Sequence, residues 1–333
     1  MGQKNLLLLT GGSSGEHEVS VKSRNYITQF IDTNTYNAIH VLITKDKTWL
    51  LESACGKKQE CRLINQSGQC LLSVDETNET IEIDTIFPLV LGDGENGELP
   101  GLFESLNAPY VGTGVLGSAL CFDKITSKHL AIAHGINCVP FDVYEEGATF
   151  ENACIKLNTN KLFIKPSNSG STLGASIATN QLEFQTAIYE AQKYDKAVLI
   201  EKYLPNVREL FCGVMYDHGK LLLSAIGEAV YEGACFTYEL KYGKDNIIVP
   251  AEIYQEIVKQ IQEQSIQIFK ILRCEVFARI DFFLYEGKLY FSEINTIPAM
   301  TPTSIFLKLM AGAGYERPYI VNALFDNHRN TKK

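Results

Sequence analysis

Long apolar runs are missing from this chain. The longest are short, such as residues 6–9, far below the ~18 apolar residues that a membrane-spanning helix needs. The N-terminal stretch also lacks an apolar core of roughly 7–15 residues followed by a small-residue cleavage site. The expectation is therefore a cytoplasmic protein with no membrane partner. No CxxC pair occurs among the nine cysteines, and nine is odd, so they read as reduced thiols rather than a disulfide framework. Cys55, Cys61 and Cys70 could in principle bind a metal; hairpin and core thiols are the simpler reading. No basic run exceeds a pair of lysines, as at Lys332 and Lys333, and the net charge is −9, which argues against a nucleic-acid partner. No internal repeat, low-complexity tract or Walker A loop, GxxxxGK[ST], is found.

What is present is ordinary globular material. The 333 residues are 45% hydrophobic and 21% charged, enough for two or three domains with full cores. In the first ~110 residues "NLLLLT", "NAIHVLIT", "TIFPLV" and "APYVGT" read as strands, with the helical pattern "SVKSRNYITQFI" between them. Strands alternating with helices predict a parallel sheet. A helical stretch follows through "SALCFDKITSKHLAIAHGI". After Glu201 the pattern turns to long antiparallel strands: "RELFCGVMYDHGKLLLSAIGEAV" reads as a hairpin, and "EVFARIDFFLYEGKLYFSEINT" as a second one after a helix.

The turn "TGGSSGEHEVS" joins an apolar run to a helix, the shape of a strand–turn–helix nucleotide site. A dehydrogenase turn of the TGxxxGxG kind would need glycine where His17 stands, and the YxxxK match at Tyr189 and Lys193 sits on an ordinary helical surface pattern.

The second hairpin is more informative. A three-residue loop at 286–288 places Asp281 opposite Glu293 and Arg279 opposite Asn295. Residues two apart share a strand face, so these four form one polar patch. Ile280, Phe282, Leu284 and Ile294 face the core. Two carboxylates and an amide oxygen are hard ligands that suit Mg²⁺ together with phosphates; a solvated face with a cross-strand ion pair is the alternative. In "FIKPSNSGSTLGA" a strand ending in Lys165 and Pro166 runs into a Gly/Ser-rich loop of the kind that folds over phosphates.

Together with "GSALCFDKITSK", "EKYLPNVRELFCGV", "TYELKY" and "ARIDFFL…EINTIPAMTPTS", these segments resemble the ATP-grasp superfamily and, within it, the D-alanine–D-alanine ligase family, in the family's order from end to end. The resemblance implies an α/β, three-domain ATP-grasp fold. An N-terminal parallel α/β domain would span 1–112, and a central domain with the glycine-rich loop 113–200. A C-terminal domain with the lid loop and metal hairpin would span 201–333, and the last two, both α+β, would sandwich ATP. It also implies roles. Lys124 and Lys165 would hold ATP phosphates, Lys241 the γ-phosphate, and Glu209 the ribose. Glu201, Lys202 and Leu204 would receive adenine. Asp281, Glu293 and Asn295 would hold two Mg²⁺, with Mn²⁺ as a substitute. Glu16 would take the first substrate's ammonium and, with Ser171 and Tyr242, form a latch that excludes water. Arg279 and the backbone N–H of Ala299 would be oxyanion donors, and Ser304 would bind the second substrate's carboxylate. The partners would be small amino acids, and the family suggests a homodimer.

The sequence departs from the family in the amino-acid pocket. The usual HGxxGEDGxxQG is the one-residue-shorter "LGDGENGELPG", with Leu91 in place of a pocket histidine and Pro100 in place of glutamine. NTxPGMT is "NTIPAMT", which keeps the donor at Ala299 provided its φ is below zero. Phe306 and Leu307 would make the second-substrate wall bulkier. The implied activity is joining D-Ala to D-Ala for peptidoglycan. Joining a different amino-acid pair in a secondary pathway is one alternative. A non-catalytic ATP-binding relative is another, against which the intact Arg279, Asp281, Glu293, Asn295 and Lys241 speak.

Overall fold

The computed structural model describes residues 2–53, 55–170, 172–231 and 246–329. Strand β1 (Lys4–Gly11) is the apolar run; it lies between parallel neighbours, β2 (Tyr36–Ile43) and β7 (Thr85–Pro88), and is buried on both faces, Leu6 and Leu8 in one core and Leu7 and Leu9 in another. Among the described strands only these three pair in parallel. Strands β3 (Trp49–Glu52), β4 (Lys58–Gln66), β5 (Gln69–Val74) and β6 (Thr80–Glu82) extend the same sheet as an antiparallel meander, in the order β6-β5-β4-β3-β2-β1-β7. The expected strand–helix alternation therefore stops after β2. The Ser67 and Gly68 turn, both with positive φ, closes a two-residue hairpin between β4 and β5. Of "APYVGT", only Tyr110 makes β-bridges, to Ile86 and Arg329. Cys61 and Cys70 are buried in the core of this sheet, Cys55 is exposed, and no cluster of three metal-ligating acidic, His or Cys side chains occurs among the described residues.

Helix α1 (His17–Ile27) follows the first turn, and α2 (Glu98–Ser105) the 91–97 turn. The long helical stretch is two helices, α3 (Val115–Phe122) and α4 (Lys124–Ala133). Asp123 breaks them: its backbone is extended, and its carboxylate accepts from the Thr126 N–H as the N-cap of α4. Both helices share a core with the third sheet rather than with the second.

The second sheet is antiparallel, β10-β9-β11-β8, formed by β8 (Phe141–Val143), β9 (Leu162–Pro166), β10 (Ser176–Ala178) and β11 (Val198–Lys202). It is backed by α5 (Phe150–Leu157) and α6 (Gln181–Gln192); Tyr189 of α6 and Lys193 just past its end lie on the surface, Lys193 paired with Glu190. The 200/201 boundary falls inside β11. The third sheet comprises β12 (Arg208–Asp217), β13 (Lys220–Leu223), β14 (Gly227–Ala229), β15 (Ile247–Ile248), β16 (Phe277–Tyr285) and β17 (Lys288–Asn295). Helix α7 (Gln255–Ile271) packs on it.

Helices α8 (Ile305–Gly312) and α9 (Arg317–Asp326) return the chain to the first sheet. Phe325 of α9 meets Tyr36 and Phe87 edge-on, with ring centroids 5.5 and 5.4 Å apart. One apolar core thus joins β1 to α8 and α9.

Candidate active site

The hairpin of β16 and β17 has the expected register, reached by a different route. Arg279 stands opposite Asn295, and Asp281 opposite Glu293. The turn has only two residues, Glu286 and Gly287, with φ of 49° and 73°, and Tyr285 pairs with Lys288. A bulge between Asp281 and Phe282 then admits Ser292 as an unpaired residue. A two-residue turn plus one bulge gives the same offset as a three-residue loop. On the other face Ile280, Phe282 and Ile294 are buried and Leu284 is half-buried.

On the polar face the Arg279 guanidinium forks onto Asp281, with Nε donating to Oδ1 at 2.7 Å and Nη2 to Oδ2 at 2.7 Å. Asn295 Nδ2 also donates to Oδ2, at 3.2 Å. Lys124 Nζ lies 3.6 Å from Glu293 Oε2, which brings α4 to the hairpin.

The root of the glycine-rich loop is pinned by carboxylates. Ser167 Oγ and Asn168 Nδ2 donate to Asp123 Oδ2 at 2.9 and 3.2 Å, and the Asn168 N–H donates to Asp195 Oδ2 at 2.8 Å. Beyond the root, Lys124 Nζ donates to the Ser169 carbonyl. The loop leans on the first turn: a Cβ at Gly170 would stand 3.2 Å from Glu16 Oε2. Thr172, a β-branched residue, has a φ of +63°, an uncommon backbone state that marks strain in this loop.

Behind the loop lies a charge triad. Glu201 on β11 is 3% exposed and pairs with two lysines, Lys165 of β9 at 2.8 Å and Lys128 of α4 at 2.9 Å. Burial alone would raise the Glu201 carboxyl, but the two ammonium charges outweigh it and hold the carboxyl down at about 2. Burial lowers Lys165, whereas at Lys128 the Glu201 charge wins and the ammonium is held above its ordinary value. The "DKITSK" segment contains Lys128, yet its position gives no sign of this role: an i+4 lysine on an amphipathic helix reads as solvated surface.

Several of these groups line one continuous cleft in three lobes. The innermost, about 850 Å³, contains Glu16, Leu91, Arg279, Ala299 and Ser304. It shares Lys124, Gly170 and Glu293 with a middle lobe of about 670 Å³ that adds Lys165 and Asp281. The outer lobe, about 400 Å³, shares Glu209 and Phe163 with the middle one and adds Glu201, Lys202 and Leu204. The Tyr231 hydroxyl donates to Glu209 Oε1 at 2.5 Å. Lys202 Nζ donates to the Asn158 carbonyl at 3.1 Å.

In the inner lobe Glu16, the N-cap residue of α1, and Ser304, that of α8, are buried. Ser304 Oγ accepts from the Thr301 N–H at 2.6 Å. Ala299 does not have a positive φ, so alanine sits there without strain. Leu91 is buried and lines the lobe; Pro100 is buried in α2 away from it. The expectation for Phe306 and Leu307 is corrected. Both point into the core, Phe306 against the Phe277 ring at 5.5 Å, and Ile305 is the α8 residue that reaches the lobe. A helix presents only one face to the cleft, and residues adjacent in sequence point about 100° apart.

A further acid escaped the sequence reading. Glu95 Oε2 accepts from the Gly92 N–H at 2.9 Å and Oε1 from the Ile297 N–H at 3.2 Å. It ties the 91–97 turn to the segment after β17. Its place in a Gly-rich turn suggests solvent, but the fold closes that turn against the inner lobe. Ser171, Lys241 and Tyr242 lie outside the described residues.

Comparison with known proteins agrees with this geometry. The family model described as "D-ala D-ala ligase N-terminus" matches residues 5–113, and "D-ala D-ala ligase C-terminus" matches residues 130–326. A D-alanine–D-alanine ligase of Caldicellulosiruptor bescii is 35% identical over 339 residues, covering 95% of this chain and 93% of the relative. Among solved structures, the D-alanine–D-alanine ligase from Coxiella burnetii superposes with a TM-score of 0.88 at 27% identity, covering 98% of this chain and 94% of that one. D-alanyl-alanine synthetase A from Vibrio cholerae gives 0.87 at 30% identity, covering 98% and 99%. With both family models matched in order and a relative more than 30% identical along nearly its whole length, the chain belongs to the D-alanine–D-alanine ligase family.

Proposed function

We propose that the protein joins two molecules of D-alanine into D-alanyl-D-alanine for peptidoglycan, converting ATP to ADP and phosphate. The observation that carries this reading is the continuity of the cleft. The lobe with Lys124, Lys165 and Glu293 opens directly onto the lobe with Glu16, Arg279 and Ser304. A phosphoryl donor and a carboxylate acceptor can meet only in such a passage.

The outer lobe takes adenine against Glu201, Lys202 and Leu204, and Glu209 takes the ribose. Lys124 and Lys165 take phosphates, and Lys241 the γ-phosphate. The first D-alanine rests its ammonium on Glu16. A carboxylate oxygen attacks the γ-phosphorus, the bond to ADP breaks, and an acylphosphate forms. The amine of the second D-alanine, held by its carboxylate at Ser304 and having lost a proton, attacks the acyl carbon. Arg279 and the Ala299 N–H face the resulting oxyanion, where one such donor is typically worth about 3–4 kcal/mol. The C–O bond to phosphate then breaks. Glu16, Ser171 and Tyr242 close the inner lobe against water.

Asp281, Glu293 and Asn295 fit divalent cations by donor chemistry, two carboxylates and an amide on one face of the hairpin. They would hold two Mg²⁺, or Mn²⁺, which supply neutralisation of phosphate charge. Arg279 already neutralises Asp281, so bound cations would share that carboxylate with the guanidinium.

Leu91 in the inner lobe favours a second reading, a ligase for another amino-acid pair. Phosphate release from MgATP with single and paired D- and L-amino acids, with products identified by mass, tests both. D-Alanine alone giving the dipeptide supports the first. Failure of D-alanine with success of another pair supports the second. ATP binding without release for any amino acid refutes catalysis.

A further inference from the structure

Lys128 is the one member of the charge triad that lines none of the three lobes, and its ammonium is fully buried. Lys165 borders the middle lobe and Glu201 the outer one. The carboxylate divides its oxygens, Oε1 to Lys128 and Oε2 to Lys165. Besides Glu201, Lys128 Nζ faces the Phe291 carbonyl of β17 at 3.4 Å, and Cys138 and Glu293 act on it through their charge, with Glu201 the strongest attraction. We propose that Lys128 is a positioning residue: it is the permanent counter-ion of Glu201, and it releases Lys165 to move onto a nucleotide phosphate. This inference rests on the ATP reading above.

The physical argument is one of charge conservation in a site closed to water. A phosphate entering the middle lobe draws Lys165 away from Glu201. With Lys165 as its sole partner, Glu201 would be left as a bare carboxylate with almost no exposure, and the ion pair would resist opening. Lys128 removes that penalty because it stays where it is. It also sets the local charge. Two ammoniums and one carboxylate sum to one positive charge, which attracts the polyphosphate. Without Lys128 the sum is zero and Lys165 is held.

Nucleotide affinity separates this role from simple support of the fold. MgADP binding by calorimetry is paired with KM for ATP and for D-alanine. Lys128→Met is expected to weaken MgADP binding and raise the KM for ATP about tenfold or more, with the KM for D-alanine changed less than about twofold. The double variant Lys128→Met/Glu201→Gln restores one positive charge and leaves Lys165 unclaimed, while Gln keeps an acceptor in the outer lobe. It is expected to bring MgADP affinity back to within about threefold of wild type. Unchanged nucleotide affinity in Lys128→Met overturns the proposal, and so does a double variant no better than the single one. Should Lys128→Met fail to fold, the charge-keeping Lys128→Arg decides: MgADP affinity within about threefold of wild type upholds the proposal, and a tenfold loss in the folded variant overturns it. A wild-type protein that binds no MgADP instead refutes the ATP reading itself.

Discussion

Glu95 offers a stability test with a definite sign. Burial raises its carboxyl most, the negative charge of Glu16 raises it further, and the Gly92 and Ile297 N–H groups and Arg279 only partly offset this, leaving it at about 8. The Cys121 thiol also faces this carboxyl and is itself pushed up, chiefly by burial. A carboxyl raised this far keeps its proton in the folded protein while the unfolded chain has already lost it. Its contribution is therefore fully present below the ordinary carboxyl range near 4.5 and is lost as pH rises through about 8. At about 1.4 kcal/mol per tenfold change, this amounts to about 4 kcal/mol between about pH 5 and pH 9. Glu95 keeps some surface toward the cleft, and the water there trims the expectation to roughly 2–3 kcal/mol. Glu95→Gln cannot ionise. It leaves one of the two backbone N–H groups without an acceptor, at about 1–3 kcal/mol independent of pH. Urea unfolding of the ligand-free protein should thus show the variant weaker than wild type near pH 5, with the gap closing by roughly 2–3 kcal/mol toward pH 9. Parallel stability curves for the two proteins would refute the reasoning.

Other expectations concern activity. Glu293→Ala should abolish phosphate release; near-normal turnover would remove the hairpin from the metal site. Leu91→His should shift the KM for D-alanine at the first site more than that for ATP, and equal changes would place Leu91 outside that pocket's chemistry. Gly170→Ala puts a methyl group 3.2 Å from Glu16 Oε2. It should raise the first-site KM for D-alanine about three- to tenfold, with an unchanged urea midpoint; an unaltered KM would mean that the loop stands clear of Glu16 in the working enzyme.

The hairpin was legible in the sequence because period-two alternation assigns its faces whatever the turn does. Its register was inferred correctly from a wrong turn, since the bulge at Ser292 makes up the missing residue. The meander from β3 to β6 is not legible: β3 and β6 are only four and three residues long, and the longer β4 has a single buried residue, so alternation is faint. Phe306 and Leu307 show the limit of reasoning by position along the chain. Being next to a substrate serine says nothing about which helix face points at the substrate. Lys128 and Glu95 stayed hidden because each acquires its meaning from a partner on another element, Glu201 on β11 and the Ile297 N–H beyond β17.

The path of α9 has a consequence for how the chain is made. Ile320, Val321, Leu324 and Phe325 are buried in the same core as Leu6, Leu8 and Phe87. The ribosome delivers β1, β2 and β7 long before this helix. Until it arrives, one side of the first sheet has only part of its apolar cover, however complete the sheet's own hydrogen bonding. The nascent first sheet thus passes through a stage of transiently bare apolar surface, the kind that holdases bind and that aggregates. Translation that stops before Arg317 would leave that surface permanently open, and such fragments should be cleared by proteolysis rather than accumulate as a stable domain.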